Sequence, residues 1–309
     1  MRSFEKMEGM IENLKKHHDL PLVTVAVPCY NHEKFVVQCI ESIIAQTYKN
    51  IELIVFDDGS VDGSPDVLRN LSQQYNFKLI LQKNQGLPRT INTILKQHTN
   101  GKYFSLCASD DYWLPDKIEK QVAFMEANRF YPACYGKNHG VNESSEIIHK
   151  YDTHNNKLKG GYVFEDIFLL KVTLPVNFMF RIEIFDELGL YDENVFAEDY
   201  EMNLRISHKY PIGFINEYLS FYRLTNVPAK IDRLEIVYNS CLLTIEKYRY
   251  HPKFLLAKKR IYLAKFEHFA PYVILKKKAA FNMFKALPLF YRKGFIMSVL
   301  RFVLVWKKL

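Results

Sequence analysis

Apolar residues follow two rhythms along the first half of this 309-residue chain. Short runs at Pro21–Val27, closed by Pro28, and at Ile51–Phe56, Phe77–Leu81 and Tyr103–Leu106 predict buried strands. Between them Phe35, Val36, Cys39, Ile40, Ile43 and Ile44 fall at helical spacing, and Pro65–Tyr75 reads as a second helix. Gly86–Gln97 predicts a loop running into a third, with Ile91, Ile94 and Leu95 inward. Strand, helix and strand within about thirty-five residues form a βαβ unit, so the strands should be parallel and joined by right-handed crossovers. Their ends then bring Tyr30, Asp58 and the pair Asp110-Asp111 to one edge of a sheet, where open α/β folds bind ligands. Further on, Tyr112–Asn128 predicts a helix, Tyr131–Asn142 the start of a strand pair, and the polar stretch Asn142–Lys159 a mobile loop beside the crevice. Ile231–Tyr250 and Leu255–Phe269 return to helical spacing.

Composition adds a size and a polarity. A hydrophobic content of 48% supports a packed core, enough for one large domain of about 230 residues and an appendage. The five cysteines form no CxxC pair and are odd in number, so neither a zinc site nor a disulfide framework is indicated and a reducing compartment is expected. The first twenty residues lack the apolar core of a signal peptide and read as a short amphipathic helix, which points to a cytoplasmic location. The net charge of +8 hides an asymmetry: from Lys253 onward fourteen basic residues face one acid, Glu267, whereas the preceding chain holds 28 basic and 33 acidic residues. The thirteen residues Gly294–Trp306, interrupted by Arg301, fall short of the ~20 needed to cross a bilayer. Basic residues beside bulky apolar ones suit helices lying in an anionic membrane interface, with Trp306, Lys307 and Lys308 at headgroup level. The alternative is a C-terminal helical cap with solvated lysines.

Candidate chemistry centres on Asp110-Asp111. Adjacent carboxylates repel unless a cation or solvent compensates them, and Mg²⁺ or Mn²⁺ prefers such oxygens and bridges them to phosphates. A solvated turn with Asp110 capping the helix that begins near Pro115 is the plain alternative. Neither a GxGxxG fingerprint nor a GxxxxGK[ST] loop follows the first strand, so any phosphate must be held by metal and side chains. His149 and His154 lack a third ligand at ordinary spacing and read as surface histidines. A second acidic pair, Glu198-Asp199, stands at the start of a helix that Asp199 could simply cap.

Pro28-Cys29-Tyr30-Asn31, Ser42-Ile43-Ile44-Ala45-Gln46-Thr47, Asp57-Asp58-Gly59-Ser60, Asn84-Gln85-Gly86 with Arg89 and Asn92, and Ser109-Asp110-Asp111 together resemble the ordered motifs of family 2 glycosyltransferases. The resemblance spans Pro21 to Arg223. It departs from the commoner pattern in reading Ser-Asp-Asp rather than Asp-x-Asp, and in carrying Pro88 where small residues are usual. It implies an α/β GT-A (Rossmann-like) fold with a mostly parallel sheet flanked by helices, followed by the basic helical extension. The division expected is 1–20, 21–228 and 229–309. By the same resemblance Asp58 accepts from the N–H of a uracil-like base, Tyr30 stacks on its ring, Arg89 lies nearby and Asp110 contacts the ribose. Pro28, Asn31, Gly86 and Ser109 complete the nucleotide-sugar site, and Asp111 coordinates Mn²⁺ or Mg²⁺. For Tyr30 the alternative is a core aromatic, and for Asp57-Asp58-Gly59-Ser60 a plain turn. Asp199, the second acid of its pair, takes the role of catalytic base for inverting transfer, with Glu198 as the fallback.

The resulting expectation is a hexosyltransferase-type enzyme using a nucleotide sugar, with a UDP-sugar preferred. Its acceptor would be a glycan or lipid-linked hydroxyl in envelope polysaccharide synthesis, such as lipopolysaccharide or capsule. It would sit on the inner face of the plasma membrane and bind no nucleic acid. The alternatives are a catalytically silent binding module of the same fold, in which loss of Asp111 or Asp199 would be expected, and a nucleotidyltransferase, which would usually show a glycine-rich basic loop after the first strand.

Overall fold

The structure, a computed structural model, describes residues 20–224 and 230–305. The expected N-terminal helix, the 228/229 division, Trp306, Lys307 and Lys308 lie outside them. The described residues fall into two compact units. The first holds 20–163, 174–193 and 205–224; the second holds 164–173, 194–204 and 230–305.

The first unit is built on eight strands: β1 (Val23–Cys29), β2 (Ile51–Asp57), β3 (Lys78–Leu81), β4 (Tyr103–Leu106), β5 (Tyr112–Trp113), β6 (Ala133–Val141), β7 (Met179–Arg181) and β8 (Gly213–Arg223). They form one mixed sheet in the order β3-β2-β1-β4-β7-β6-β8-β5. The four strands predicted from apolar runs are its parallel half, with β1 hydrogen-bonded to β2 from Val23↔Ile51 to Cys29↔Asp57 and to β4 from Val23↔Tyr103. Strand β3 pairs parallel with β2. A parallel sheet covered on both faces requires apolar side chains on both, and Val23, Val25, Ala26 and Val27 of β1 are fully buried. Strand β7 then runs antiparallel to β4 and β6, while β6 and β8 are parallel through a bulged register near Lys137.

The crossover helices follow the expected periodicity. Helix α1 (Val36–Ile44) buries Val36, Cys39, Ile40 and Ile43, and α2 (Ser64–Tyr75) buries Leu68 and Leu71. Helix α3 (Leu87–Gln97) buries Ile91, Ile94 and Leu95, together with Thr90 and Asn92. Two expectations need correction. The helix predicted from Tyr112 begins only at Lys117, as α4 (Lys117–Ala127), because Tyr112 and Trp113 form a strand paired with Phe221 and Ser220 of β8. The Tyr112 and Phe221 rings stack at 4.4 Å, and Pro115 disfavours helical backbone at Leu114. The stretch 142–159 is not a bare loop. It holds a 3₁₀ turn at His149–Tyr151 and the short helix α5 (Asp152–Asn155), pinned by buried Asn155, whose amide donates to the Asn138 carbonyl at 3.0 Å.

The second unit is helical. Its elements are α6 (Phe164–Phe168), α9 (Lys230–Glu246), α10 (Phe254–Phe269), α11 (Lys276–Ala286) and α12 (Lys293–Leu304), together with the start of α8 (Glu198–Lys209); α7 (Glu183–Leu188) belongs to the first unit. Leu263, Phe266, Phe269, Leu275, Leu289 and Phe295 form its core. No helix among the described residues is long and apolar enough to cross a membrane.

One core residue of the first unit is a lysine. Lys117 is fully buried, lies 3.7 Å from the Trp113 ring centre, and donates to Ser105 Oγ at 2.9 Å and Gln121 Oε1 at 2.7 Å. Burial pulls its amine down from 10.5 to about 7. Since the folded value lies below the unfolded one, the associated stability is present above 10.5 and is lost as pH falls toward about 7. Lys117→Met, similar in length and uncharged, should therefore be more stable than the parent near neutrality, by an amount on the order of a few kcal/mol, with the difference shrinking as pH rises. Denaturant unfolding of both proteins between neutral and alkaline pH measures that difference, and a pH-independent difference would contradict the buried-amine origin.

Candidate active site

Three strand ends meet at the carboxyl edge of the parallel half-sheet. Past β1, Asn31 adopts a left-handed conformation (φ 56°), which asparagine tolerates better than most residues. Its N–H donates to Ser60 Oγ at 2.9 Å and its Oδ1 accepts from the Val61 N–H at 2.8 Å. The Asp58 N–H donates to the Cys29 carbonyl at 2.8 Å, continuing the β1–β2 ladder by one step. Gly59 (φ 76°) is sterically required, since a Cβ there would meet the Asn84 nitrogen at 2.6 Å. Pro28 is the last residue but one of β1. Tyr30 is 41% exposed, which excludes the core-aromatic alternative.

Both acids of Asp57-Asp58 are buried, but they are used differently. Asp57 Oδ1 accepts from the Ser60 N–H at 2.9 Å, closing the turn, and its buried Oδ2 has no hydrogen-bond partner. Asp58 Oδ1 accepts from Gln82 Nε2 and the Gln85 N–H, each at 2.8 Å, and Oδ2 from the Gly86 N–H at 2.9 Å. A carboxylate has about four acceptor positions, so Asp58 holds the segment before α3 and keeps one position at Oδ2 for a further donor. Gly86 caps α3 with φ 86°, and open space surrounds the place of its missing Cβ. Arg89 has a partner that the sequence did not suggest: its Nε donates to Glu193 Oε2 at 3.0 Å. Asn92 donates to the Tyr191 carbonyl and to Glu193 Oε1, which with Arg89 holds the Glu193 carboxyl below its ordinary range.

Beyond β4, Ser109 Oγ lies 2.8 Å from His32 Nδ1, and Asp110 Oδ2 lies 3.9 Å from His32 Nε2. Thus β1 and β4 are joined through a histidine that the sequence analysis did not single out, although it follows Asn31 directly. Asp111 is buried and its Oδ1 accepts from the Arg223 N–H at 2.8 Å. Arg223 was read only as the end of the resembling region, and it is the main support of this loop. Its guanidinium donates to the carbonyls of Asp110 (2.8 Å), Asn142 (2.9 Å) and Glu143 (3.0 Å) and to Gln38 Oε1 (2.6 Å). It also lies 4.6 Å from the Phe35 ring centre. The signal in the sequence was an arginine directly after the aromatic-rich run Tyr218–Tyr222, which needs a partner when buried.

The donor set at Asp110-Asp111 fits a hard divalent cation: two carboxylates at a strand end, one buried and one 25% exposed at its side chain. Mg²⁺ and Mn²⁺ are commonly held by one or two carboxylates plus phosphate oxygens, so a complete protein cage is not required. A cavity of about 370 Å³ elsewhere in this unit is lined by Tyr48, Glu52, Tyr75 and Lys78. It lies at the opposite, amino edge of β2 and β3 and contains none of these groups.

Glu198 and Asp199 begin α8 and belong to the second unit. There the Ala197 N–H donates to Ser240 Oγ at 2.9 Å, Asp199 Oδ1 accepts from the Tyr200 N–H at 2.7 Å, and Glu201 pairs with Lys247 at 2.7 Å. Desolvation raises both Glu198 and Asp199 above the ordinary carboxylate range, and the charge of Asp199 raises Glu198 further. Both keep partial solvent access. A carboxylate raised toward neutrality is a stronger base than a free one, which is the property that proton abstraction needs.

The sheet is half parallel, with acidic strand ends and no glycine-rich phosphate loop, as the resemblance to GT-A α/β proteins implied. Residues 24–189 match the family model described as glycosyl transferase family 2, and the chain belongs to that family. An uncharacterized glycosyltransferase of Rickettsia conorii is 30% identical over 204 residues, covering 66% of this chain and 33% of its own. Chondroitin synthase of Escherichia coli is 29% identical over 269 residues, covering 81% and 36%. The chain therefore spans about a third of the length of these relatives. Among solved structures, S. aureus TarS 1–349 in complex with UDP-GlcNAc superposes with a TM-score of 0.59 at 17% identity, covering 90% of this chain and 89% of that one. The mannosyltransferase PcManGT of Pyrobaculum calidifontis, in complex with GDP-Man and Mn²⁺, gives 0.60 at 16% identity, covering 97% and 95%. At these identities the structural likeness establishes the fold.

The contacts of Arg223 predict the effect of its loss. Lysine cannot reach these separated acceptors with one ammonium group, so Arg223→Lys should loosen Asp111 and weaken nucleotide binding measured with Mn²⁺ by about ten- to a hundredfold, with a smaller change in metal-free binding. Parallel titrations with and without Mn²⁺ check this. An equal loss in both would show general destabilisation rather than positioning.

Proposed function

We propose that this chain transfers a sugar from a UDP-sugar to a hydroxyl of a glycan or lipid-linked acceptor in cell-envelope polysaccharide synthesis, with inversion at the anomeric carbon. The observation that carries this reading is the strand-end arrangement of an exposed Tyr30, an Asp58 carboxylate with one open acceptor position, and the Asp110-Asp111 pair, in a chain of this family. The tyrosine face offers a stacking platform for a base, and the open Asp58 position suits an imide N–H. Asp110 is assigned to the ribose, with Pro28, Asn31, Gly86 and Ser109 shaping the pocket and Arg89 at its margin. Asp111, with Asp110 beside it, would hold Mn²⁺ or Mg²⁺, which when bound supplies positive charge to a diphosphate leaving group.

Asp199 is assigned as the base, taking the proton of the acceptor hydroxyl as that oxygen attacks the anomeric carbon from the face opposite the diphosphate. The raised position of its carboxyl supports the role, and Glu198 shares that property. The basic, apolar-rich extension supports a peripheral position on the inner face of the plasma membrane.

Calorimetric titration of UDP with and without Mn²⁺ tests the donor site. Wild type should bind UDP more tightly with the metal, and Asp111→Asn should lose that gain while keeping its fold. Absence of UDP binding by wild type under both conditions would reject the UDP assignment. In a turnover assay, Asp199→Asn should lower kcat by about 10²–10⁴-fold with donor binding retained. A variant as active as wild type would transfer the role to Glu198 or remove it from the pair.

A further inference from the structure

The two C-terminal helices of the second unit have two apolar faces. One is accounted for: Ala279, Asn282 and Ala286 of α11 and Phe295 and Ser298 of α12 are buried in the unit's own core. A surface helix ordinarily turns a polar face outward. Here Phe281, Phe284, Leu287, Phe290, Ile296 and Leu300 are each 46% to 64% exposed. Within α12, Ile296, Leu300 and Val303 recur at four- and three-residue spacing, so they share one side of the helix.

The charges around this face have one sign, and no acidic residue occurs from His268 to Val305. Lys276 is occupied internally, its Nζ donating to the carbonyls of Ala270 at 2.7 Å and Val305 at 3.0 Å, and Lys278 pairs with Glu235. Lys277, Lys285 and Lys293 are exposed and form no ion pair among the described residues. A second copy laid on this face would bring like charges together. A neutral apolar partner would leave the cations unanswered. An anionic lipid surface answers both, taking the aromatic and aliphatic side chains below the headgroups and the lysines at their level.

We propose that α11, the turn around Leu287–Phe290, and α12 form an in-plane membrane-docking face for anionic phospholipid. At 1.5 Å rise per residue, the 11- and 12-residue helices reach about 17–18 Å, well under a hydrocarbon core of ~30 Å, so the face lies in one leaflet's interface. The inference names the surface behind the membrane location in the functional proposal and rests on that reading only for the purpose of docking, namely to meet a lipid-linked acceptor.

Co-sedimentation of the full chain with vesicles tests it in the absence of nucleotide. The protein should pellet with phosphatidylcholine vesicles containing about 30% phosphatidylglycerol and stay in solution with phosphatidylcholine alone. Lys285→Glu/Lys293→Glu should weaken binding by at least about fivefold per site. Phe284→Ser/Phe290→Ser, at exposed positions, should weaken it further at high salt, with unfolding temperature and UDP titration unchanged in both variants. The proposal is overturned if wild type ignores anionic vesicles, or if the serine pair binds as tightly as wild type, which would mean adhesion by charge alone. It is also overturned if sedimentation shows a dimer that the serine pair abolishes with no lipid binding by wild type. Loss of UDP binding with vesicle binding intact would sink the functional reading and leave the docking face standing.

Discussion

Holding two adjacent carboxylates at a partly buried strand end is the constraint around which the first unit is arranged. Asp110 and Asp111 cannot both approach the protein interior on their own, because each loses hydration and each repels the other. Arg223 offsets this from the far side of the sheet. Its backbone N–H takes one oxygen of Asp111, its guanidinium takes the Asp110 carbonyl, and its remaining donors fasten the 142–143 turn and Gln38 of α1. Its guanidinium binds carbonyls, the Gln38 amide oxygen and the Ser145 hydroxyl, so its charge stands beside the acid pair. The mixed half of the sheet thereby positions the acid pair carried by the parallel half, since β8 ends in Arg223.

The same division of labour explains the other motif residues. Ser42, Gln46 and Thr47 carry no ligand chemistry here. Ser42 Oγ accepts from the Trp113 N–H, and Gln46 accepts from the Ile118 N–H and donates to the Leu114 carbonyl. The Thr47 N–H donates to the Pro115 carbonyl. They fasten the end of α1 to the segment that leaves Asp110-Asp111, so the acid-bearing turn is anchored at both ends. Asp58 likewise spends three of its acceptor positions on the approach to α3 before it can meet a ligand. A substitution at any of these positions would reach the site through backbone position rather than through a lost contact to substrate.

The second unit follows a different rule. Its core is made by small, aromatic and leucine residues of α10, α11 and α12 and the turns between them, and its outer side sets exposed Phe281, Phe284, Phe290, Ile296 and Leu300 among lysines. Net positive charge of this kind resists self-association and permits contact with an anionic surface.

Local pattern was enough for the strand–helix alternation, the parallel direction of β1, β2, β3 and β4, and the common edge bearing Tyr30, Asp58 and Asp110-Asp111, because burial on both faces of a parallel sheet writes itself as continuous apolar runs. The asymmetry of charge was equally visible. Contacts between residues far apart in the chain left no such mark. Pairing with β8 turned Tyr112-Trp113 from helix to strand, and the 142–159 stretch gained its turn and helix from packing on β6. Arg89 found Glu193 across more than a hundred residues, and Arg223 found Asp110 across more than a hundred. Periodicity reports which side of an element is buried. Only the folded chain decides what it is buried against, and here that choice determined which polar groups bind backbone and which remain open to a ligand.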